Sequence, residues 1–348
     1  MEVNAQMIME MMNAWAPPHL AESWDRVGLQ IGRGKTKVKK ILAALDVTED
    51  NVEYAATHGV NMIVSHHPFL FRPVIPLDTD TWKGRIIEKL IKHNIVSFAA
   101  HTNLDTAEGG VNDALAEALE LTNPRGLVPG YKEASCKVVV YVEPMLAKRL
   151  SHALGQAFPG RVGRFYLLDD EDDFTTEARL EFNTEEKSLS SVKDMIAEMA
   201  GAPPMDIYRL ADGGKTECMG RIGELARSLP GKEALLYVKE KLKIPSLRYC
   251  GNPDITVRRI AVLGGAGIEF FPVAKQAGAD LYVTGDVKYH EAQEAAGSGL
   301  LVADGGHFYT ERVIIPKLAK CIRNEAALQG WELEVIEDPS ARDVFSVC

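Results

Sequence analysis

The chain has 348 residues, of which 46% are hydrophobic and 25% charged. This length predicts two or three domains, and the balance of apolar and charged residues excludes wholesale disorder, collagen and coiled coil. The net charge of -10 argues against a nucleic-acid partner or an anionic lipid surface, and the apolar stretches are too short to span a bilayer. No basic segment precedes an apolar one at the start, and five scattered cysteines indicate a reducing compartment, so we expect a cytoplasmic protein without a membrane partner.

The first part of the chain alternates predicted helices with predicted buried strands. Apolar residues at helical spacing indicate an opening helix that stops before two prolines. A strand, a helix and a second strand then form a βαβ unit, and a further helix and strand follow. The predicted elements are a helix over 2–15, a strand over 39–47, a helix over 49–58, a strand over 60–65, a helix over 83–92 and a strand over 94–100.

The middle of the chain has a different pattern. Its predicted order is β-α-β-β-α-β, which is typical of a ferredoxin-like sandwich, so we expect an inserted α+β domain. An acidic run at 169–173 is interpreted as a solvated hairpin loop, with a cation site as the alternative. The elements are predicted at 137–142, 144–158, 161–168, 177–183, 189–200 and 205–210.

The last part repeats the strand–helix–strand order of the first. Strands are predicted at 258–264, 279–284 and 299–303, with a helix at 270–277. We therefore expect two related α/β halves that flank the insert. The predicted domains are residues 1–130, 131–219 and 220–348.

Four of the nine histidines come directly after predicted strands. His66 and His67 follow one strand of the first half and His101 follows the next, whereas His307 follows the last strand of the second half. Ligands in open α/β sheets bind beyond the carboxyl ends of strands, so these side chains can converge on one cleft. The remaining histidines that lack a spaced carboxylate are interpreted as structural: His19, His58, His93 and His152.

Two of these histidines have a carboxylate four residues later. The pairs are His101 with Asp105 and His307 with Glu311. Four residues is about one helical turn, so each pair can bind one cation, and the two pairs together predict a two-metal site. Imidazole and carboxylate ligands without thiolate suit zinc, manganese or ferrous iron.

Two further motifs leave alternatives open. Asp286 and His290 hold the place in the second half that the adjacent histidines hold in the first. They are interpreted as anchors for ligand imidazoles or as acid/base groups, with a helix cap at Asp286 as the alternative. The glycine-rich turn VLGGAG at 262–267 can approach a phosphate with its backbone N–H groups, but close packing is the simpler interpretation.

Seven motifs in order resemble the NIF-three-like family, whose members are also labelled GTP cyclohydrolase 1 type 2 homologues. They are WDRVGLQIG at 24–32, SHHPFLF at 65–71, HTNLD at 101–105, MGRIGEL at 219–225, VLGGAG at 262–267, TGDVKYHEA at 284–292 and DGGHFYTE at 304–311.

The resemblance implies the NIF-three-like fold of two α/β halves, a dinuclear metal centre between them, and a ring-shaped homo-oligomer, usually a hexamer. It implies that the insert resembles the PII and CutA folds. By motif, the family's ligands fall on His66, His67, Asp105, His307 and Glu311. His101 is then a close neighbour of the ligands, which can orient them or accept a proton.

These observations lead to a functional hypothesis. We expect a metal-dependent hydrolase that uses two divalent cations on a nucleotide or another phosphorylated small molecule, with His101 as the catalytic proton carrier. The alternative is a non-enzymatic metal-binding or sensing protein, because the same ligands serve storage and catalysis. Nucleic-acid binding through a ring lumen would require strongly segregated basic residues at this net charge.

Overall fold

A computed structural model describes residues 2–159, 162–163, 165–168, 178–211, 213–214 and 216–347. The chain forms two compact units, one of residues 1–130 with 218–348 and the other of residues 131–217. The predicted acidic loop at 169–173 lies outside the described residues. Within the described part of the chain, none of the helices combines the length and the apolar character needed to cross a membrane.

The first stretch of the chain folds much as its periodicity predicts. The side chains of Asn4, Thr48 and Thr81 accept backbone N–H groups at the starts of three helices, which fixes where those helices begin. The elements are β1 (Val3–Asn4), α1 (Ala5–Trp15), β2 (Gly28–Ile31), β3 (Lys37–Val38), β4 (Lys40–Ala44), α2 (Glu49–Thr57), β5 (Met62–Ser65), α3 (Trp82–Lys92), β6 (Val96–Ala99), α4 (Thr102–Thr106), α5 (Val111–Ala118) and β7 (Thr122–Lys132).

The middle unit is an antiparallel sheet with two helices. Its described elements follow the predicted order, and apolar residues of the central strands and both helices form one core, for example Val140, Leu150, Phe182 and Ile196. The elements are β8 (Ser135–Val142), α6 (Pro144–Ala157), β9 (Tyr166–Leu168), β10 (Ala178–Glu185), α7 (Leu189–Ala200) and β11 (Met205–Leu210), with strand order β11-β8-β10-β9.

The last stretch returns to the larger unit and completes its sheets. Gly330 ends the long helix of this stretch in the left-handed conformation, as helix C-caps commonly do. The elements are β12 (Thr216–Pro230), α8 (Gly231–Lys241), β13 (Arg248–Cys250), β14 (Thr256–Ala266), α9 (Phe271–Gln276), β15 (Leu281–Gly285), α10 (Tyr289–Gly297), β16 (Leu301–Asp304), α11 (His307–Glu311), α12 (Ile314–Gln329) and β17 (Glu334–Glu337).

The larger unit contains two mixed sheets with a common arrangement. One has the order β17-β4-β5-β6-β2 and the other β13-β16-β15-β14-β12-β7. The two sheets share three neighbouring parallel strands, β4-β5-β6 and β14-β15-β16, with an antiparallel strand beside the third; in the first sheet β17 also runs parallel to β4. The carboxyl ends of three parallel strands therefore share one edge in each sheet, and the loops that follow them carry the polar residues described below.

Helix α5 connects the two sheets. Val111 and Ala114 pack in the core that covers β4 to β6, whereas Leu115 packs in the core that covers β14 to β16. Asn112, which is fully buried on the same helix, donates to the Asp105 carbonyl and accepts from Gly264 N–H at 2.9 and 3.0 Å. These contacts fix the carboxyl-end loops of one sheet relative to those of the other.

Candidate metal centre

The histidines and carboxylates singled out in the sequence converge at the carboxyl ends of the parallel strands. His66 and His67 follow β5, His101 follows β6, and His307 opens α11 directly after the loop from β16. The other two residues, Asp105 and Glu311, lie on the short helices α4 and α11. Residues more than 200 positions apart therefore meet in one site.

The buried carboxylate of Glu311 lies at the centre of this cluster. Its Oε2 lies 2.9 Å from His67 Nε2 and 3.1 Å from His307 Nε2, and its Oε1 lies 3.7 Å from His66 Nε2. His66 Nε2 also lies 3.6 Å from Asp105 Oδ1. Three sets of side chains are compact enough to hold a cation: His67, His307 and Glu311; His66, Asp105 and Glu311; and His66, His67 and His101.

Two of the converging atoms are buried without a hydrogen bond. Among the described residues, His66 Nε2 and Asp105 Oδ1 have no partner with hydrogen-bond geometry, whereas Glu311 Oε2 lies close to the Nε2 atoms of His67 and His307. Buried polar atoms are normally satisfied, and clustered lone pairs repel one another. These atoms therefore fit a site that is completed by cations, and the donor set of nitrogen and oxygen suits divalent metals.

Each of the four imidazoles is oriented by an acceptor at its Nδ1 atom. His66 Nδ1 donates to the Ala100 carbonyl at 2.9 Å, and the other three donate to carboxylates: His67 to Asp46 at 2.8 Å, His101 to Asp25 at 2.9 Å, and His307 to Asp286 at 2.8 Å. A carbonyl or carboxylate can only accept, so Nδ1 carries the proton and the Nε2 lone pair of each neutral imidazole is free for a cation.

Asp25 holds more than one residue of the site. Its Oδ1 accepts from His101, while its Oδ2 accepts from Thr102 N–H at 3.0 Å and from the Thr102 hydroxyl at 2.5 Å. Burial alone would raise the pKa of Asp25, but the hydrogen bonds from His101 and Thr102 outweigh burial and hold this pKa well below its usual value. The carboxylate is therefore ionised at neutral pH.

The remaining charges of the cluster depend on one another. Burial and the Glu311 carboxylate raise the pKa of Asp105 to about 8. Burial acts against the charged forms of His67 and His307, but the neighbouring carboxylates dominate: the pKa of His67 lies well above its usual value and that of His307 rises to about 9. Burial likewise opposes ionisation of Glu311, yet the charge of His67 and the contacts with His307 and His66 keep its pKa well below normal. Protons on His67, His307 and Asp105 therefore balance the negative charge of the neighbouring carboxylates.

Gly265 is required by the close approach of the backbone to Glu311. Its φ is +67°, and a Cβ atom at this position would lie 2.2 Å from Glu311 Oε1. Gly265 N–H donates to the Thr310 hydroxyl at 3.0 Å, so the glycine-rich stretch predicted as a turn, most of which forms the end of β14, packs directly on α11. The close-packing interpretation of this turn is confirmed.

Other predictions about this region have mixed outcomes. Asp286 anchors His307, whereas the helix cap proposed for Asp286 is wrong because α10 begins three residues later with Lys288 at its N-cap. His290 is exposed and its ring contacts Tyr289 edge-on. None of the three sets among the described residues contains both His101 and Asp105, so their expected pairing on one cation stays a prediction. The second pair, His307 with Glu311, does share a set.

Two anchoring residues, Asp25 and Asp46, were missed in the sequence. Asp46 follows β4 by two residues, and its position after a third parallel strand was a usable signal. Asp25 lies in the loop before β2, within the WDRVGLQIG motif, and no periodicity distinguishes it.

A cavity of about 660 Å³ opens beside the cluster. It is lined by His67 and His307 together with the anchors Asp46 and Asp286, and by two cationic side chains, Arg248 and Arg342. A space of this size accommodates a small molecule in contact with the cluster.

Comparison with known proteins identifies the chain's relatives. The family model Duf34/NIF3 (NGG1p interacting factor 3) matches residues 3–343. A Bacillus subtilis protein named GTP cyclohydrolase 1 type 2 homolog is 37% identical over 336 residues, which cover 90% of each chain, and a homologue of the same name from Halalkalibacterium halodurans is 34% identical over 99% of this chain and 98% of its own.

Solved structures agree with the sequence relatives. A Bacillus cereus protein related to NIF3 superposes with a TM-score of 0.89 at 34% identity and covers 100% of this chain and 99% of its own. A Staphylococcus aureus protein superposes with a TM-score of 0.87 at 30% identity and covers 99% of both chains. The match extends over the whole chain in sequence and in structure, and the chain therefore belongs to the Duf34/NIF3 family.

Proposed function

We propose that this protein binds two divalent cations and is a metal-dependent hydrolase that acts on a nucleotide or another phosphorylated small molecule. The observation that carries the proposal is the cavity of about 660 Å³ that reaches the imidazoles of His67 and His307. Cavities of this size are typical of small-molecule sites, whereas cation storage requires no such opening onto the ligands.

The ligand sets assign the residues to the two cations. We assign His67, His307 and Glu311 to one cation and His66, Asp105 and Glu311 to the other, so that Glu311 is shared. Zinc, manganese and ferrous iron all suit this combination of imidazole and carboxylate. Bound cations would supply Lewis-acid activation of water and of the substrate's phosphate oxygens.

We assign proton transfer to His101. Its Nδ1 is committed to Asp25 at 2.9 Å, so Nε2 is the atom that can accept a proton. Its ring centroid lies 5.2 Å from that of His66 and 5.4 Å from that of His67, close to both ligand sets. The ionised Asp25 would stabilise the imidazolium that forms, as an orienting carboxylate does for a general base.

The two arginines that line the cavity are suited to bind the substrate's phosphate. Their side chains are 75% and 76% exposed, and each forms an ion pair, Arg248 with Asp304 and Arg342 with Asp50. A guanidinium group that is already oriented by a carboxylate can present its remaining N–H donors to a phosphate. The name of the Bacillus subtilis relative, GTP cyclohydrolase 1 type 2 homolog, fits a nucleotide as the phosphorylated substrate.

The assembly around this site is also a proposal. We propose that the two sheets of the larger unit are related α/β halves of a NIF-three-like fold. The middle unit has the strand order of a ferredoxin-like domain, and we propose that it is PII/CutA-like. Exposed apolar side chains such as Ile75, Leu77 and Ile91 favour a homo-oligomer, for which we propose a cytoplasmic hexamer.

The experiment is a substrate screen with protein loaded in turn with Zn²⁺, Mn²⁺ or Fe²⁺. Nucleotides, sugar phosphates and phosphodiesters are assayed by chromatography and phosphate release, and metal content is measured on the same samples. We expect turnover that falls about 10²- to 10⁴-fold in His101→Gln without loss of metal, as for removal of a general base. The exposed His290→Gln variant serves as the matched control and should retain full turnover.

Two results would contradict the proposal. Binding of two cations without turnover of any compound would overturn the hydrolase and favour the metal-binding or sensing protein. Equal turnover in His101→Gln and wild type would remove His101 from the proton transfer.

A further inference from the structure

Two exposed aromatic side chains border His101. Trp24 is 54% exposed and Phe71 is 41% exposed although both are large and apolar. Their ring centroids lie 5.8 Å apart, and each ring meets the His101 ring edge-on, at 6.1 Å for Trp24 and 6.4 Å for Phe71. We call Trp24 and Phe71 the aromatic wall. Exposed apolar side chains that contact each other and a site residue form a patch, and such patches mark binding surfaces.

The backbone on both sides of Trp24 is fixed by hydrogen bonds. Asp25, next to Trp24, is held by His101 and Thr102, and Glu22 N–H donates to the Thr102 hydroxyl at 2.9 Å. Trp24 therefore lies between two anchored residues. A preorganised surface binds more tightly because little conformational entropy is lost when the ligand docks.

Gln30 joins the two segments that carry the wall. Its Nε2 donates to the Arg26 carbonyl at 2.7 Å, and its Oε1 accepts from Leu70 N–H at 3.0 Å. One side-chain amide thus bridges the loop after Trp24 to the residue before Phe71. This bridge connects the two backbone segments that carry the rings.

Exposure decreases from the wall to the ligand cluster. The side chain of His101 is 16% exposed and that of His66 is fully buried. The wall is therefore the solvent-exposed end of a continuous row of side chains that leads through His101 to the buried His66. This decrease in exposure toward the cluster matches a substrate that carries its ring at one end and its reacting group at the other.

We propose that the aromatic wall binds the planar heteroaromatic ring of the substrate, by stacking on Trp24 with Phe71 as the second side of the subsite. This inference rests on the proposed function, because it names the part of a phosphorylated substrate that this surface recognises. Stacking on aromatic side chains tolerates every nucleobase, since each has a π-face. The wall gives preference for a ring without selecting one base.

The area of the wall favours a small ligand over a second copy of the chain. An aromatic side chain buries about 150–250 Å² in total, and about half of each ring is already covered here. The wall can therefore add on the order of 200 Å², whereas a stable protein interface buries about 800 Å² on each partner. A single heteroaromatic ring matches the surface that remains.

The test compares the affinities of ligands with and without a ring on Mn²⁺-loaded protein. Calorimetry is performed with AMP, GMP and ribose 5-phosphate, which share the sugar phosphate. In wild type we expect the nucleotides to bind about 10- to 100-fold more tightly than ribose 5-phosphate, from the usual contribution of base stacking. Trp24→Ala and Phe71→Ala should reduce this ratio about tenfold or more, with unchanged metal content and unchanged affinity for ribose 5-phosphate.

Trp82→Ala is the matched control, because Trp82 is 53% exposed and packs on Phe69 and Lys83. Trp82→Ala should leave the affinity ratio of nucleotide to ribose 5-phosphate unchanged, whereas Trp24→Phe should retain most of this ratio. A wild-type ratio near one, or equal ratios in Trp24→Ala and Trp82→Ala, would overturn the inference. Dissociation of an oligomer in Trp24→Ala with an unchanged ratio would also overturn it and would assign the wall to a second copy. If the affinity ratio is as expected but no compound is turned over, only the proposed hydrolase activity is refuted.

Discussion

Replacement of Gly265 by alanine tests whether Glu311 must occupy its observed position. The added Cβ would lie 2.2 Å from Glu311 Oε1, whereas real Cβ atoms essentially never approach another atom closer than 3.0 Å. The carboxylate must therefore retreat by about 0.8 Å, and ligand distances in metal sites tolerate only about 0.2 Å. We expect the affinity for divalent cations to fall about 10- to 100-fold, the size of effect seen when ligand orientation is lost.

Gly59→Ala is the matched control for this substitution. Its φ of +69° is close to that of Gly265, and no atom lies within 4 Å of the added Cβ. Both variants should lose about 1 kcal/mol or more of metal-free stability because alanine is strained at positive φ. Only Gly265→Ala should lose metal affinity.

Chelator competition measures the cation affinity, and urea unfolding in chelator measures the stability without metal. The reasoning is refuted if Gly265→Ala binds cations as tightly as Gly59→Ala. In that case Glu311 either is not a ligand or can bind from a different rotamer.

The other predictions concern the ligands and their protons. Glu311→Ala should lose both cations by elemental analysis and Asp105→Ala mainly one, whereas His101→Ala should keep both; complete metal loss in His101→Ala would make it a ligand. Because the pKa of His307 is about 9 and that of Asp105 about 8 in the metal-free protein, cations must displace these protons at pH 7. The affinity for divalent cations should therefore rise with pH between 6 and 8, by up to about tenfold per pH unit for each proton displaced. Calorimetry in buffers of different ionisation enthalpy should detect the released protons. A pH-independent cation affinity would contradict the assignment of His307 and Asp105 as ligands. Asp46→Asn, which weakens the acceptor at a ligand Nδ1, should lower affinity about 10-fold, and equilibrium dialysis that finds no change would exclude an orienting role.

The sequence predicts the convergence of side chains at this site because parallel strands impose it. Strands such as β5 and β6 are short runs of apolar residues, which identify them as buried, and the residues that follow them must lie at one edge of the sheet. His67 and His307 could therefore be placed together although 240 residues separate them. Their role as ligands remains a prediction.

The partners of those histidines were harder to predict, since loop residues follow no periodic pattern. Asp25 reaches His101 across 76 residues, and nothing in the spacing of the WDRVGLQIG motif identifies it as an acceptor. His101 and Asp105 fall in different sets for a related reason, because an i,i+4 spacing places side chains on one helical face only if the first residue is inside the helix. His101 is the N-cap of α4, with φ -110° and ψ -109°, so its imidazole leaves at a different angle.

The cluster also has a thermodynamic consequence for the larger unit. His67 belongs to a loop of one sheet and His307 to a loop of the other, so a cation that contacts both is released when either sheet unfolds. Such a cation stabilises the folded state by about 2.7 kcal/mol at a free concentration 100 times its dissociation constant. A cation bound in this way would make the unfolding of the two apolar cores mutually dependent, and metal supply would then set the cooperativity of denaturation as well as its midpoint.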